Sequence, residues 1–398
     1  MKIIKADYIL TCDDDFSIIK NGAMVFDEDV IEVGLADYLT QKYSDLEIIE
    51  CGENSVVMPG LINSHTHLEY SKNKTLLKYG DFNSWLKSVF ENREELSNIS
   101  DKEIQNQLEI IKQTGTTTLS EISSFAKSLK ECVKSDLRIV YFTEILGTNE
   151  KYIDFIKEDF NKKLEVSLSY KSAKFIPAIS IHSTYSVHPI LMEYATTKAK
   201  EHNMLMSTHY LESIYEKQWL QRATSKLKET LSIVNPDIKV FFSEEKFVKC
   251  FDDIRTSFVH ACYDENIEDK YIVHCPVSNR LLGSKKLDIS KVKTNLLLGT
   301  DGLSSNISLS LWDEMRMALM VHSEYDLQEL SKKLILSATK NAGEFLKLPI
   351  GVLEKKYKSD FIVLDLEDKL NLKENLDKLI LNTKKVKKSF IAGEELSL

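Results

Sequence analysis

Alternation between short apolar runs and amphipathic segments constrains the fold of this chain most strongly. Between residues 58 and 349, segments such as SDKEIQNQLEIIKQTG, HPILMEYATTKAKEH and SLWDEMRMALMVHSE have helical periodicity and separate apolar runs typical of strands. Eight such runs occur: GLINSHTH, GTTTLSEIS, LRIVYFTEIL, KFIPAISIHS, MLMSTHYLE, TSFVHACY, KYIVHCPVS and NLLLGTDG. Strict alternation indicates parallel strands, and eight repeats predict an α/β fold that closes as a (β/α)8 TIM-like barrel.

An open doubly wound sheet is the alternative architecture, because it also alternates parallel strands with helices. Such sheets often bind dinucleotides through a Gly-x-Gly-x-x-Gly turn after the first strand, and no such turn follows the first run here. The number of repeats therefore favours the barrel.

The two ends of the chain have a different pattern. Residues 1–57 read as short strands, with a break expected at Asn21-Gly22, and SDFIVLDL and KKSFIAGEELSL near the C-terminus alternate in the same way. We therefore expect residues 1–57 and 350–398 to meet in a small β-sandwich domain, beside a catalytic barrel formed by residues 58–349.

Charge and composition exclude several classes of partner. The formal net charge of -9 disfavours binding to a phosphate backbone, so no nucleic-acid partner is expected. The N-terminus lacks the basic start and apolar core of a secretory signal, and no apolar run is long enough to span a bilayer. Six scattered cysteines without a Cys-x-x-Cys pair indicate free thiols, which predicts a cytoplasmic protein without a membrane partner.

Histidines and acids recur where the predicted strands end. His65 and His67 end the first strand, His209 the fifth, His260 the sixth and Asp301 the eighth. In a barrel of this kind these strand ends meet at the catalytic face. Three imidazoles and one carboxylate from this set would suit one divalent metal, with Zn²⁺ preferred and Fe²⁺ or Mn²⁺ as alternatives.

Glu212 follows His209 by three residues and has the spacing to turn over such a metal as a proton carrier. Beyond it, residues 216–253 are rich in Lys and Glu. This composition indicates either helices that cover the site or a solvent-exposed segment with no role at the site.

The motifs PGLINSHTH, STHYLES, FVHACY, HCPVSNRLLG and GTDGLSSNISLSLWDEMR resemble those of the amidohydrolase superfamily. Within it they are most similar to adenosine-type and cytosine-type deaminases with one metal. The resemblance implies that His65, His67, His209 and Asp301 bind the metal. It further implies that His260 positions the hydrolytic water, Glu212 shuttles protons and Asp301 helps to deprotonate the water. Strand four offers no lysine to bridge two metals, which favours one ion.

The motifs HTHLEYS, YGDFNSWLKSVF, THYLES, CPVSNRLLGS and TDGLSSNISLSLWDEMR resemble those of 6-aminodeoxyfutalosine deaminases of menaquinone biosynthesis. This resemblance implies hydrolytic deamination of the adenine ring of a nucleoside-like small molecule, and a homodimer. The alternatives are a methylthioadenosine or S-adenosylhomocysteine deaminase, a guanine or cytosine deaminase, and a triazine hydrolase. A metal-free barrel scaffold is the non-enzymatic alternative.

Residues for substrate binding are assigned from their positions after the strands. Glu69 and Trp85 follow strand one, His182 and Tyr185 follow strand four, and Arg280 follows strand seven as the expected partner of a substrate carboxylate.

Two further histidines are not expected to bind the metal. Pro189 at a first-turn position makes His188 a helix start, and His274 ends strand seven.

Overall fold

Strands from both chain ends form one hydrogen-bonded sheet. The computed structural model describes residues 1–72, 76–366, 368 and 370–398. Its terminal sheet contains β1 (Lys2–Leu10), β2 (Ile18–Phe26), β3 (Val30–Leu35), β4 (Glu47–Glu50), β5 (Ser55–Pro59), β15 (Phe361–Asp365), β16 (Lys388–Ile391) and β17 (Glu394–Glu395). Their order is β17-β16-β15-β5-β1-β2-β3, and β4 pairs with β1. The expected meeting of the two ends is therefore confirmed.

Apolar side chains cover both faces of this sheet because successive residues of a strand point in opposite directions. On one face the rings of Phe361 and Phe390 stack with centroids 4.3 Å apart, and Phe26 packs edge-on against Phe361 at 5.0 Å. On the other face Ile3 packs with Leu39 of α1 (Ala36–Lys42). The two faces of the sheet therefore belong to two separate apolar clusters.

The break expected at Asn21-Gly22 is wrong, because both residues lie inside β2. Asn21 has a φ of 48°, which asparagine tolerates better than most residues. A Cβ on Gly22 would lie 2.5 Å from Cγ1 of Ile9, so glycine lets β1 and β2 approach closely. Its role is close packing within a strand rather than a turn.

A parallel sheet forms the body of the protein and continues directly from β5. Pairing with β15 extends through Pro59, and the first barrel strand starts at Leu61. The division into domains at residues 57 and 349 stays a prediction. The sheet contains β6 (Leu61–His67), β7 (Thr116–Ser123), β8 (Arg138–Ile145), β9 (Phe175–Ser183), β10 (Met206–Tyr210), β11 (Thr256–His260), β12 (Tyr271–His274), β13 (Leu296–Leu298) and β14 (Asp301–Gly302).

The eighth predicted strand closes the barrel by dividing into two short pieces. β13 pairs with β12 at one end of the order, and β14 pairs with β6 at the other end. Between them the Gly299 N–H donates to the His274 carbonyl at 3.1 Å and the Thr300 N–H to the His65 carbonyl at 3.0 Å. The predicted (β/α)8 topology is confirmed.

Helices join the parallel strands, as the amphipathic segments predicted. Ser100 begins one of them with a capping box, in which its hydroxyl and the Glu103 carboxylate each accept a backbone N–H. This helix is α4 (Asp101–Gln113). Besides α1 and α4, the described helices are α2 (Phe82–Glu91), α3 (Arg93–Ser97), α5 (Leu129–Lys134), α6 (Ile153–Ser169), α7 (Pro189–Glu201), α8 (Ile214–Arg222), α9 (Lys226–Leu231), α10 (Glu244–Lys249), α11 (Pro276–Leu281), α12 (Leu311–Val321), α13 (Leu327–Ser337), α14 (Lys340–Leu346) and α15 (Leu376–Asn382).

Three short 3-10 helices complete the described secondary structure, at Leu68–Tyr70, Glu150–Tyr152 and Leu372–Glu374. None of the helices formed by the described residues combines the length and the apolar character that crossing a bilayer requires.

Candidate active site

The histidines and the aspartate singled out in the sequence meet at the C-terminal ends of the barrel strands. His65 and His67 lie on β6, His209 on β10, His260 at the end of β11 and Asp301 at the start of β14. His260 and Asp301 adopt φ values of 68° and 57°, which are costly for residues with a Cβ. Such strain is typical of functional sites, where the surrounding structure holds a side chain in a required direction.

Three imidazole nitrogens converge on one point. Nε2 of His67 lies 3.1 Å from Nε2 of His65 and 3.2 Å from Nε2 of His209. Oδ1 of Asp301 lies 3.8 Å from Nε2 of His65 and 3.7 Å from Nε2 of His67. Ligands at Zn–N distances of about 2.0–2.1 Å and tetrahedral angles would be about 3.3 Å apart, so the spacing fits a metal ion at the centre.

The protonation of these rings also fits a metal. Nδ1 of His209 contacts the His182 carbonyl at 2.8 Å, and because a carbonyl only accepts, Nδ1 carries the proton and Nε2 a lone pair. Burial, followed by the charges of the neighbouring His182 and His67 rings, lowers the pKa of His209 to about 3. Burial also lowers the pKa of His65 well below its ordinary value. The rings of His65 and His209 are therefore neutral at pH 7 and available as metal ligands.

The Asp301 carboxylate is held in place by three donors. Its Oδ1 accepts the Gly302 N–H at 2.7 Å, and its Oδ2 accepts the hydroxyls of Ser278 and Ser305, each at 2.7 Å. Metal-binding carboxylates are commonly fixed by such outer hydrogen bonds, which set their orientation. Oδ1 faces His65 and His67, and Oδ2 lies 3.9 Å from Nε2 of His260.

Glu212 and His260 lie next to this cluster. Oε1 of Glu212 is 3.5 Å from Nε2 of His260, and both side chains are buried. Burial, followed by the charge of Asp301, raises the pKa of Glu212 well above its ordinary value. The raised pKa favours the protonated carboxyl group, which can deliver its proton to a substrate.

A cavity of about 350 Å³ opens beside the cluster. Its polar part includes His67, His209, Glu212 and Asp301. Helix α2, the segment after β8 and the segment around α9 supply its apolar part, through Leu86, Val89, Phe90, Leu146, Ile156, Leu231, Val234 and Ile238. An apolar cavity with a few convergent polar groups is typical of a small-molecule site.

The segment after β10 forms part of this cavity. Leu231, Val234, Asn235 and Ile238 line it, and Nδ2 of Asn235 donates to the Thr148 hydroxyl across the cavity wall at 3.0 Å. Residues 216–253 therefore form part of the cavity wall, and Val234, Asn235 and Ile238 do so from the non-helical chain between α9 and α10.

The structure places three of the five expected substrate contacts on the cavity wall. Trp85, His182 and Tyr185 line the cavity, and Nε1 of Trp85 donates to the Ser304 carbonyl at 2.9 Å. This hydrogen bond of the Trp85 indole links α2 to the loop after β14. Tyr185 is buried, and Nδ1 of His182 contacts the Ser186 hydroxyl at 2.7 Å.

Glu69 and Arg280 are not among the residues that line the cavity. The Glu69 carboxylate instead accepts the backbone N–H groups of Ser124, Phe125 and Lys127 at 3.0, 3.0 and 2.6 Å. It therefore holds the loop after β7. Arg280 is exposed on α11.

Glu144 and Ser124 also line the cavity, and neither was predicted from the sequence as a site residue. Glu144 is buried near the end of β8, where the Ser124 hydroxyl donates to it, and it lies close to His182 and His209. The rule that located the histidines, an ionisable residue at the C-terminal end of a barrel strand, would also have selected Glu144 in LRIVYFTEIL.

The remaining histidines have structural positions. His188 begins α7, and its Nδ1 accepts the Ile190 N–H at 3.2 Å, as expected for a helix start. Nε2 of His274 faces Nε2 of His322 at 3.1 Å, and His274 is not among the residues that line the cavity.

A model of the amidohydrolase family matches residues 56–396. The chain belongs to the amidohydrolase family. This amidohydrolase is 36% identical to an aminodeoxyfutalosine deaminase from a Nitratiruptor species, with 99% of each chain covered. It is 30% identical to an adenosine deaminase of Helicobacter pylori, again with 99% of each chain covered.

A solved structure agrees with these relatives. The crystal structure of Helicobacter pylori aminofutalosine deaminase in complex with methylthio-coformycin matches this amidohydrolase with a TM-score of 0.94 and 30% identity. The match covers 100% of both chains. The match therefore extends over both the barrel and the terminal sheet.

Proposed function

We propose that this protein is a metal-dependent deaminase of 6-aminodeoxyfutalosine, which replaces the adenine amino group by oxygen and releases ammonia in menaquinone biosynthesis. One observation carries the proposal: the three converging Nε2 atoms and the Asp301 carboxylate lie beside Glu212 in a cavity lined largely by apolar residues. The relatives support the substrate, because aminodeoxyfutalosine deaminase is the name of the relative with 36% identity.

The proposed ligands of the metal are His65, His67, His209 and Asp301. Three neutral nitrogens and one carboxylate oxygen favour Zn²⁺, with Fe²⁺ and Mn²⁺ as alternatives. Such an ion, when bound, supplies Lewis acidity and lowers the pKa of water.

The proposed roles of the protein groups follow from their protonation. Glu212 enters the reaction protonated and donates to the purine nitrogen next to C6, so that the ring accepts the incoming oxygen. Asp301 takes a proton from the attacking water, and His260 orients that water through the Nε2 lone pair. Collapse of the tetrahedral carbon breaks the C–N bond, and Asp301 returns its proton to the amine, which leaves as ammonia. The remaining hydroxyl proton on C6 passes to Glu212, which leaves a 6-oxo purine and restores the protonated carboxyl group.

The proposed substrate requires a partner for its carboxylate. Arg280 does not line the cavity, but a second depression adjoins the apolar part and shares Phe90 and Val234 with it. Arg93 lies in this depression and is the only cationic residue lining either space among the described residues. We therefore propose Arg93 as the carboxylate contact.

Two of the three acids that line this depression with Arg93 form ion pairs with lysines. Glu91 lies 3.9 Å from Lys87, and Glu95 lies 3.6 Å from Lys72. Arg93 itself forms no ion pair with a described residue. A guanidinium in this position can bind a carboxylate through two parallel hydrogen bonds.

Deamination of methylthioadenosine or S-adenosylhomocysteine is the second candidate, because eight apolar side chains would also accommodate a thioether. A relative from Thermococcus sibiricus that carries this activity in its name is 27% identical over 91% of the chain. Guanine, cytosine and triazine substrates would leave the apolar part of the cavity unfilled. A cytoplasmic location and a homodimer stay predictions.

Ammonia release from a substrate panel tests the proposal. We expect kcat/KM to be highest for 6-aminodeoxyfutalosine, compared with methylthioadenosine, adenosine, guanine and cytosine. A higher kcat/KM for methylthioadenosine than for 6-aminodeoxyfutalosine would contradict the proposed substrate and favour the second candidate. No ammonia release from any member by the metal-loaded protein would favour a scaffold.

A further inference from the structure

A line of buried polar side chains runs from His260 toward the surface. Nδ1 of His260 contacts Oδ1 of Asn279 at 2.7 Å, and Nδ2 of Asn279 contacts Nδ1 of His274 at 3.5 Å. Nε2 of His274 contacts Nε2 of His322 at 3.1 Å. All four side chains are less than 5% exposed. His274 ends β12, Asn279 belongs to α11 and His322 caps the end of α12. The His322–His274–Asn279 line therefore joins three elements.

The hydrogen-bond roles along this line depend on one another. The Asn279 amide oxygen accepts, so Nδ1 of His260 carries the proton and its Nε2 keeps a lone pair. The Asn279 amide nitrogen donates, so Nδ1 of His274 is the acceptor and Nε2 of His274 carries the proton. Nε2 of His322 then accepts, which leaves the proton of His322 on Nδ1. The only other consistent arrangement reverses every member and flips the Asn279 amide.

The orientation of the Asn279 amide in this structure corresponds to the first arrangement, because its oxygen faces Nδ1 of His260 and its nitrogen faces Nδ1 of His274. At the outer end, Nδ1 of His322 has no hydrogen-bond partner among the described residues. It lies 3.9 Å from Oε1 of Glu324, which also pairs with Lys286. Burial lowers the pKa of His322 to about 4 and that of His274 well below its ordinary value, so each ring carries one proton at neutral pH.

The inner end of the line points to the reacting groups. Nε2 of His260 is buried without a hydrogen-bond partner among the described residues, 3.5 Å from Oε1 of Glu212 and 3.9 Å from Oδ2 of Asp301. A lone pair here can accept a hydrogen bond from water, whereas an N–H would donate to one of the carboxylates. The tautomer of His260 therefore decides what this nitrogen can do.

We propose that His274 and His322 are positioning residues, which fix the orientation of the Asn279 amide and thereby the tautomer of His260. The consequence for turnover rests on the proposed function, in which His260 orients the hydrolytic water. The tautomer itself does not depend on the substrate. His274 thus contributes to the site from the side facing away from the cavity.

Substitutions at His274 test the kinetic consequence. Phenylalanine cannot accept from the Asn279 amide, so we expect His274→Phe to lower kcat about tenfold, at unchanged KM and metal content. Glutamine offers a carbonyl oxygen as acceptor, so His274→Gln should restore most of kcat. His202→Gln is the control, because His202 is an exposed residue at the end of α7. Equal losses in the Phe and Gln variants, or wild-type kcat in the Phe variant, would overturn the proposal.

Nitrogen-15 NMR of histidine-labelled protein tests the tautomer without substrate. We expect His260 to carry its proton on Nδ1 in the wild type and in His274→Gln, and to occupy both tautomers in His274→Phe. A wild-type His260 protonated on Nε2 would overturn the proposal. If the wild type releases no ammonia from any nucleoside, the proposed function fails, and this spectrum still decides the positioning role.

Discussion

Glu212 is the proposed proton donor to the purine ring. Its carboxyl group is buried 3.5 Å from His260 and is not one of the four groups that converge on the metal position. We expect Glu212→Gln to keep the metal and to lower kcat about 10²- to 10⁴-fold, because glutamine has the same shape but no transferable proton. Metal content and steady-state kinetics measure the two effects. Turnover near the wild-type value would remove Glu212 from its role.

Arg93 offers a test of substrate choice that carries its own internal control. We expect Arg93→Ala to raise KM about 10-fold or more for 6-aminodeoxyfutalosine, because a lost charge-assisted hydrogen bond costs about 1.5–3 kcal/mol. The KM for methylthioadenosine, which has no carboxylate, should stay unchanged in the same variant. Arg280→Ala is the matched control because Arg280 is exposed outside the cavity lining. Equal changes for both substrates would contradict a carboxylate contact.

At the scale of elements, the loop after β7 depends on one carboxylate. Glu69 accepts three backbone N–H groups of this loop and the Ser123 hydroxyl at 2.7 Å. Glu69→Gln replaces an accepting oxygen by a donating nitrogen, so a buried N–H would lose its partner. We expect the free energy of unfolding to fall by about 1–3 kcal/mol in denaturant titrations. Glu94→Gln, on the exposed part of α3, should change it little. Equal stability of the two variants would contradict the anchoring role.

At the scale of the whole molecule, the proposed metal connects strands that are distant in the chain. His65 and His67 come from β6, His209 from β10 and Asp301 from β14, so an ion bound by them stabilises the folded state alone. We expect chelation to lower the Tm, and stoichiometric Zn²⁺ to restore it, in the wild type and in Glu212→Gln. His209→Ala should lower the Tm without chelator and show a smaller response. An unchanged Tm after verified metal removal would contradict the assignment of the site.

The sequence by itself determined the repeating architecture and which side chains gather at the proposed metal site. Periodicity depends only on which residues must be buried, so the eight strands and the helices between them could be predicted from residue order. His65, His67, His209 and Asp301 follow from the same argument, because parallel strands bring their C-terminal ends to one face. The break expected at Asn21-Gly22 could not be judged this way. Glycine is needed there because β1 packs too closely for a side chain at position 22.

Tertiary structure decided the contacts that lie beyond the strand ends. Glu69 is adjacent to the metal-ligand strand in sequence, yet its carboxylate turns to the backbone of another loop, because buried N–H groups require acceptors. Arg280 and Arg93 are both cations on short helices, and only the packing of α2 against α9 decides which one adjoins the cavity. The line from His260 to His322 likewise joins residues distant in sequence, and only three-dimensional packing brings their nitrogens together.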